Sequence, residues 1–198
     1  MMGLSSNFGN MFSMIGAVLF LPFFPMLPSQ ILLNNFLYDL SQTSLPTDNV
    51  DPEYIRKPKH RNIRFIRNFM LCFGPISSLF DFLTFYLLFA IFHFQSSMFQ
   101  TWWFIESLAT QVFVVYVIRT RRIPFFKSWP SKWLLTSTFG MVILGFIFTL
   151  PFIAPLFGFN FLPPYAYLTI IGLVLVYLVL VEIVKYFFYK KMYKASDA

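Results

Sequence analysis

Two short clusters place side chains capable of chemistry inside otherwise apolar sequence. Asn35 and Asp39, within Leu33-Asn34-Asn35-Phe36-Leu37-Tyr38-Asp39-Leu40-Ser41-Gln42, are spaced i,i+4 and share one face of a helix. Asn7 and Asn10, spaced i,i+3, share a face on the preceding apolar segment. Two adjacent antiparallel helices would thus gather three amide oxygens and one carboxylate. Hard oxygen donors with one formal charge suit Mg²⁺ or Ca²⁺ rather than a soft metal. A site that must release its ion is served by few fixed charges. The same groups would serve equally well as an amide ladder between helices in a membrane.

Other polar residues sit alone. Asp81 follows Gly74-Pro75-Ile76-Ser77-Ser78, where a proline and two hydroxyls loosen a helix; it reads as a structural polar contact or as a proton or ion relay. Glu106 follows Trp102-Trp103, which reads as an interfacial aromatic belt with the carboxylate reaching outer water. Gln111 lies near the middle of the same span. Glu182 and Lys185 read as an i,i+3 pair at an interface. His60 and His93 have no second ligand at metal spacing, and the lone Cys72 reads as a packing residue. There is no Gly-rich phosphate loop and no nucleophile with a general base, so the expectation is a chain that binds no nucleotide and catalyses nothing by itself.

The elements that must position these groups are set by composition. Only 12% of the 198 residues are charged, against roughly 25% in an ordinary soluble domain. Hydrophobic residues make up 58%, with 29 phenylalanines, so the natural solvent is lipid and disorder is excluded. A nucleic-acid partner is excluded too, because the +7 net charge is confined to short stretches between apolar runs. Six stretches fit membrane helices: 5–22, 29–46, 69–93, 102–118, 133–154 and 165–185. Pro22, Pro25 and Pro28 mark the first turn, Ser96, Ser97 and Gln100 the third, and Pro163-Pro164 the fifth. All 15 Lys and Arg residues fall between spans two and three, between four and five, or at the end of span six. By the positive-inside rule the loops 47–68 and 119–132, the tail 186–198 and both termini are cytoplasmic. The reading is an all-α protein, a single transmembrane domain over 1–198, multi-pass in the cell membrane. In loop 47–68, Asp48, Asp51 and Glu53 precede a basic run that would lie on anionic headgroups or dock on a partner domain.

These residues resemble a known arrangement. Ser5-Ser6-Asn7-Phe8-Gly9-Asn10 and the Leu33–Gln42 stretch are similar to the fifth and sixth membrane helices of P-type cation pumps, most closely the bacterial magnesium-transporting P-type ATPases. Gly74-Pro75-Ile76-Ser77-Ser78-Leu79-Phe80-Asp81, Trp103-Phe104-Ile105-Glu106 and Ile118-Arg119-Thr120-Arg121-Arg122-Ile123-Pro124-Phe125 extend the resemblance from about Ser5 to about Tyr193. It implies that the six spans correspond to helices five to ten of such a pump, with Mg²⁺ as the transported ion. The family's cation-site positions then fall on Asn7 and Asn10, on Asn35, Tyr38 and Asp39, and on Gln111. Calcium-pump relatives carry an acid where this chain has Asn10, which fits one divalent ion here. The resemblance also implies that the phosphorylated-aspartate motif, the nucleotide and actuator domains and helices one to four belong to sequence upstream of this chain. The expectation is therefore half an ion site, inactive alone, with the N-terminal part of the pump or an intact pump as partner. An autonomous protein that regulates a pump and a remnant of a broken gene are the alternatives.

Overall fold

The computed structural model describes residues 2–49, 63–120 and 122–194, with side chains for 9–49, 67–120 and 122–190. Among the described residues it is built from helices: α1 (Met2–Phe20), α2 (Pro28–Gln42), α3 (Ile63–Tyr86), α4 (Ser96–Ile118), α5 (Lys132–Phe148) and α6 (Pro164–Lys194). A π turn over Leu87–Ile91 extends α3, and short 3₁₀ turns cover Leu45–Thr47 and Ala154–Phe157. Three helical stretches, Arg67–Ile91, Ser96–Ile118 and Pro164–Lys190, are long and apolar enough to cross a membrane. Gly9–Phe20 and Lys132–Phe148 are apolar but shorter.

Helix α4 is the axis of the bundle. It touches α1, α2, α5 and α6, and nearly all of its residues are buried. Its inward position follows from its composition: Thr101, Glu106, Ser107, Thr110 and Gln111 would be costly against hydrocarbon and are instead enclosed by protein. Helix α6 is the converse, with Leu168, Ile171, Leu175, Val176 and Val179 turned outward. Close packing uses small residues. The buried stripe Gly9, Ser13, Ala17 of α1 lies on α3, where a Cβ on Gly9 would come 3.2 Å from the Ser77 side chain. Gly145 of α5 admits Leu108 of α4, since a Cβ there would stand 2.3 Å from Leu108 Cδ2.

The two ends of the bundle are fastened by different chemistry. At one end, Arg119 Nη1 donates to Asp48 Oδ2 at 2.6 Å and Nη2 to the Ser128 carbonyl at 2.7 Å. The Asp48 Oδ1 atom accepts the Ser131 N–H at 2.8 Å, and Ser131 Oγ caps α5 by accepting the Leu134 N–H. Asp48 is thus used within the fold. Lys185 of α6 reaches the same end and donates to the Val117 and Arg122 carbonyls at 3.0 Å, while pairing with Glu182 at 2.7 Å as the spacing indicates. These contacts bring described parts of the three basic segments to one end of the bundle.

The other end is held by neutral groups. Gln30 Nε2 donates to the Phe157 carbonyl at 3.0 Å, and Gln100 Nε2 to the Phe24 carbonyl at 2.9 Å. Asn160 N–H donates to Thr101 Oγ1 at 2.8 Å.

The sequence reading started the fourth span too late. Ser96, Ser97 and Gln100 are not the loop but the first turns of α4, entered from Gln95 in an extended conformation. Polar residues there are stabilised by protein partners, so polarity does not end the helix. Trp102 and Trp103 accordingly lie one turn and more inside α4, only 1% exposed, and form no interfacial belt. The exposed tryptophans are Trp129 and Trp133, at 65% and 73%. Helix α6 continues to Lys194, past the expected end of span six, and Pro75 is accommodated inside α3. Residues 50–62 of loop 47–68, Arg121, and the last four residues of the tail lie outside the described residues, as do Asp51, Glu53 and His60.

Removing one partner of a buried ion pair strands the other and costs about 3–5 kcal/mol. The Asp48→Ala variant should therefore melt well below the parent in detergent micelles by thermal circular dichroism. Unaltered melting would mean that Arg119 and Ser131 are satisfied without Asp48.

Candidate functional site

The apolar helices enclose a polar seam where α1 meets α3 and α4. Ser107 of α4 organises one part of it. Its Oγ accepts the Asn10 Nδ2–H at 3.2 Å and the Gln111 Nε2–H at 2.7 Å. Each amide thereby uses its nitrogen on Ser107 and keeps its oxygen for another partner. Gln111 Oε1 is fully buried and accepts no hydrogen bond. On α2, Asn34 donates Nδ2–H to the Phe104 carbonyl at 3.4 Å, and its Oδ1 is likewise a buried acceptor without a donor. Oriented amide oxygens of this kind are suited to a hard cation.

The second part is acidic. Asp81 of α3 is 4% exposed, and its Oδ2 is hydrogen-bonded to Ser13 Oγ of α1. Ser13 Oγ also lies 2.9 Å from the Gly9 carbonyl, which accepts the Ser78 hydroxyl at 3.0 Å as well. Tyr177 of α6 donates its hydroxyl to Ser77 Oγ at 3.2 Å. Glu106 is completely buried, close enough to Asp81 for their charges to interact, and neither of its oxygens has a hydrogen-bond partner. It does not reach outer water, because the earlier start of α4 puts it about three turns into that helix rather than near its end.

The expected ligand residues divide into two sets. Asn10 and Gln111 are brought together through Ser107. Tyr38 is buried in the core beside Leu37. Asn35 is half-buried and Asp39 is exposed, on the side of α2 that also exposes Leu32 and Phe36. Among the described residues neither Asn35 nor Asp39 makes a hydrogen bond or ion pair, and neither reaches Asn10 or Gln111. Asn7 belongs to α1, but its side chain is outside the described residues. Sequence reasoning overlooked Ser107, Ser13 and Tyr177, and read Ser78 only as loosening its helix. The Gly9, Ser13, Ala17 stripe was a signal for the α1–α3 contact, and Ser107-Gln111 at i,i+4 was one for the amide arrangement.

A bundle that encloses amide and carboxyl groups and turns apolar residues outward has the character of a membrane domain. The chain matches the family model described as "Cation transporting ATPase, C-terminus" over residues 23–187, and it belongs to that family. It is 41% identical over 191 residues to the Magnesium-transporting ATPase, P-type 1, of Escherichia coli (strain K12), a match covering 94% of this chain and 21% of that protein. Proteins with the same description from Salmonella typhimurium are 42% identical over 193 residues in strain 14028s and 37% over 191 residues in strain LT2, with the same shares covered. The chain thus spans about a fifth of the length of these relatives. It is a multi-pass cell-membrane segment of a cation pump of the P-type class.

In Ser107→Ala the Asn10 and Gln111 N–H groups lose their shared acceptor. An unsatisfied buried donor costs about 1–3 kcal/mol, so the variant should unfold at a lower temperature in lipid nanodiscs. A melting temperature equal to the parent's would show that the two amides are held by something else.

Proposed function

We propose that this chain supplies helices five to ten of a P-type pump that moves Mg²⁺, with both termini and the basic loops on the cytoplasmic side. The positive-inside distribution supports that orientation, and the joining of the basic segments at one end of the bundle supports their shared side. The relatives' description as magnesium-transporting supports the ion. Phosphorylation and nucleotide binding fall to the rest of the pump, which is the principal partner besides the bilayer.

The observation that carries the reading is the placement of Asp39. A carboxylate on the outer side of a membrane helix, beside Leu32 and Phe36, would face hydrocarbon at a cost of several kcal/mol if nothing covered it. Further helices of the pump, packed on this side of α2, would enclose Asp39 and Asn35 and turn them into ligands. The Asn10 and Gln111 oxygens, oriented by Ser107, supply neutral donors from within this chain, and Asn7 and Tyr38 complete the proposed set. One formal charge with neutral oxygens binds a small dication and still lets it go. Phosphorylation elsewhere in the pump would open and close the site by moving the covering helices and α1 relative to α2. The work done by this chain is coordination; no bond is made or broken in it.

The test uses an intact pump containing this region. Asp39→Asn should weaken the Mg²⁺ dependence of ATP hydrolysis by at least roughly 10- to 100-fold, the scale seen when even an outer-shell partner of a metal ligand is lost. Unchanged Mg²⁺ dependence removes Asp39 from the site.

A further inference from the structure

In the acidic part of the seam one hydroxyl lies between two acceptors. Ser13 has a single O–H, yet its Oγ lies within hydrogen-bonding distance of both the Gly9 carbonyl and the Asp81 carboxyl. A carbonyl oxygen cannot donate, so one hydroxyl proton serves two acceptors unless Asp81 supplies a second proton. With a proton on Asp81 the chain closes: Asp81 donates to Ser13, and Ser13 donates to Gly9. With Asp81 ionised, Ser13 donates to the carboxylate and Gly9 keeps only the Ser78 hydroxyl, and an anion is left in a membrane interior where it is costly.

The surroundings contain no charge that would stabilise the anion. The described part of α1 contributes Gly9, Ser13 and Ala17 and carries no ionisable residue at all. From α6 the titratable neighbour is Tyr177, whose hydroxyl is already donated to Ser77. From α4 come the Trp103 indole, which adjoins the carboxyl without a hydrogen bond of good geometry, and Glu106, a second acid. Within α3 itself, the single Ser78 hydroxyl is taken up by the Gly9 and Gly74 carbonyls, which it shares. Among the described residues neither acid is in an ion pair. Two carboxyl groups with no cation beside them are stable together only when at least one is neutral.

We propose that Asp81, with Ser13 and the adjacent Glu106, is an intramembrane proton-binding site, separate from the amide and Asp39 groups assigned to the cation. Its ligand is a proton taken from water. The bound proton lets Ser13 donate to Gly9 while accepting from Asp81, and its departure turns the Ser13 hydroxyl toward the carboxylate. Because Asn10 lies one turn from Ser13 on α1, proton occupancy and the position of an amide ligand are linked through one helix. The site itself does not rest on the identity of the transported ion.

Infrared spectroscopy of the purified chain in lipid nanodiscs at neutral pH tests this. The expected spectrum contains the C=O band of a protonated carboxylic acid. That band moves when the protein is made with ¹³C-aspartate, is lost in Asp81→Asn, and shifts without disappearing in Ser13→Ala, where the acceptor of its proton is gone. Circular dichroism of each variant establishes that the helices are retained, and the isotope measurement needs no substitution. The proposal is overturned if no acid band is present, or if the band ignores the aspartate label and vanishes only in Glu106→Gln. A failure of the Asp39→Asn test would leave these bands untouched, so the two readings are separable.

Discussion

In hydrocarbon there is no water to satisfy a polar group, and the arrangement of this protein follows from that constraint. The helix richest in buried side-chain polarity, α4, is the one surrounded by others. Helix α6, by contrast, turns Leu, Ile and Val outward. Among the described residues, the ion pairs lie at one end of the bundle. There Arg119 with Asp48 and Lys185 with Glu182 close the end of the bundle, and Gln30 and Gln100 close the opposite end without charge.

The same constraint shapes the seam. A serine hydroxyl that accepts from two amides is a compact way to orient both in a dry interior, and Ser107 does this for Asn10 and Gln111. It leaves two oxygens available where a cation would otherwise have to strip them from existing hydrogen bonds. Asp81 and Glu106 follow a different logic. Buried acids without cationic partners are tolerable as neutral groups, and neutrality makes them responsive to protons in a way the amides are not. The proposed division of labour assigns neutral oxygens with one exposed carboxylate to the dication, and buried carboxyls to protons.

Much of the architecture was legible in composition and spacing. Apolar runs located the helices, although α4 begins at Ser96 rather than 102 and α6 continues to Lys194 rather than 185. What spacing could not convey is which face of an apolar helix meets protein and which meets lipid, since both environments select the same side chains. Asn34 and Asn35 are neighbours in sequence, yet one bonds to α4 and the other borders the outer face of α2. Ser96, Ser97 and Gln100 looked like a loop because their satisfaction depends on distant partners, such as the Phe24 carbonyl 76 residues away. That one boundary also misplaced Trp102, Trp103 and Glu106. Motif resemblance pointed to the proposed cation positions, while the serines that orient their neighbours left only weak local signals.

The four tryptophans offer the most direct test of the inward placement of α4. Trp102 and Trp103 lie on that helix and are enclosed by protein, whereas Trp129 and Trp133 are exposed beside a basic loop. Their fluorescence can be measured in vesicles whose lipids carry bromine on the acyl chains, a quencher that acts by contact. A Trp129→Phe/Trp133→Phe double variant retains only the α4 pair and should be quenched little at any bromine depth. A Trp102→Phe/Trp103→Phe variant retains the loop pair and should be quenched strongly by bromines near the headgroups. Strong quenching of the α4 pair would contradict the account, because it would place lipid where the polar seam requires protein.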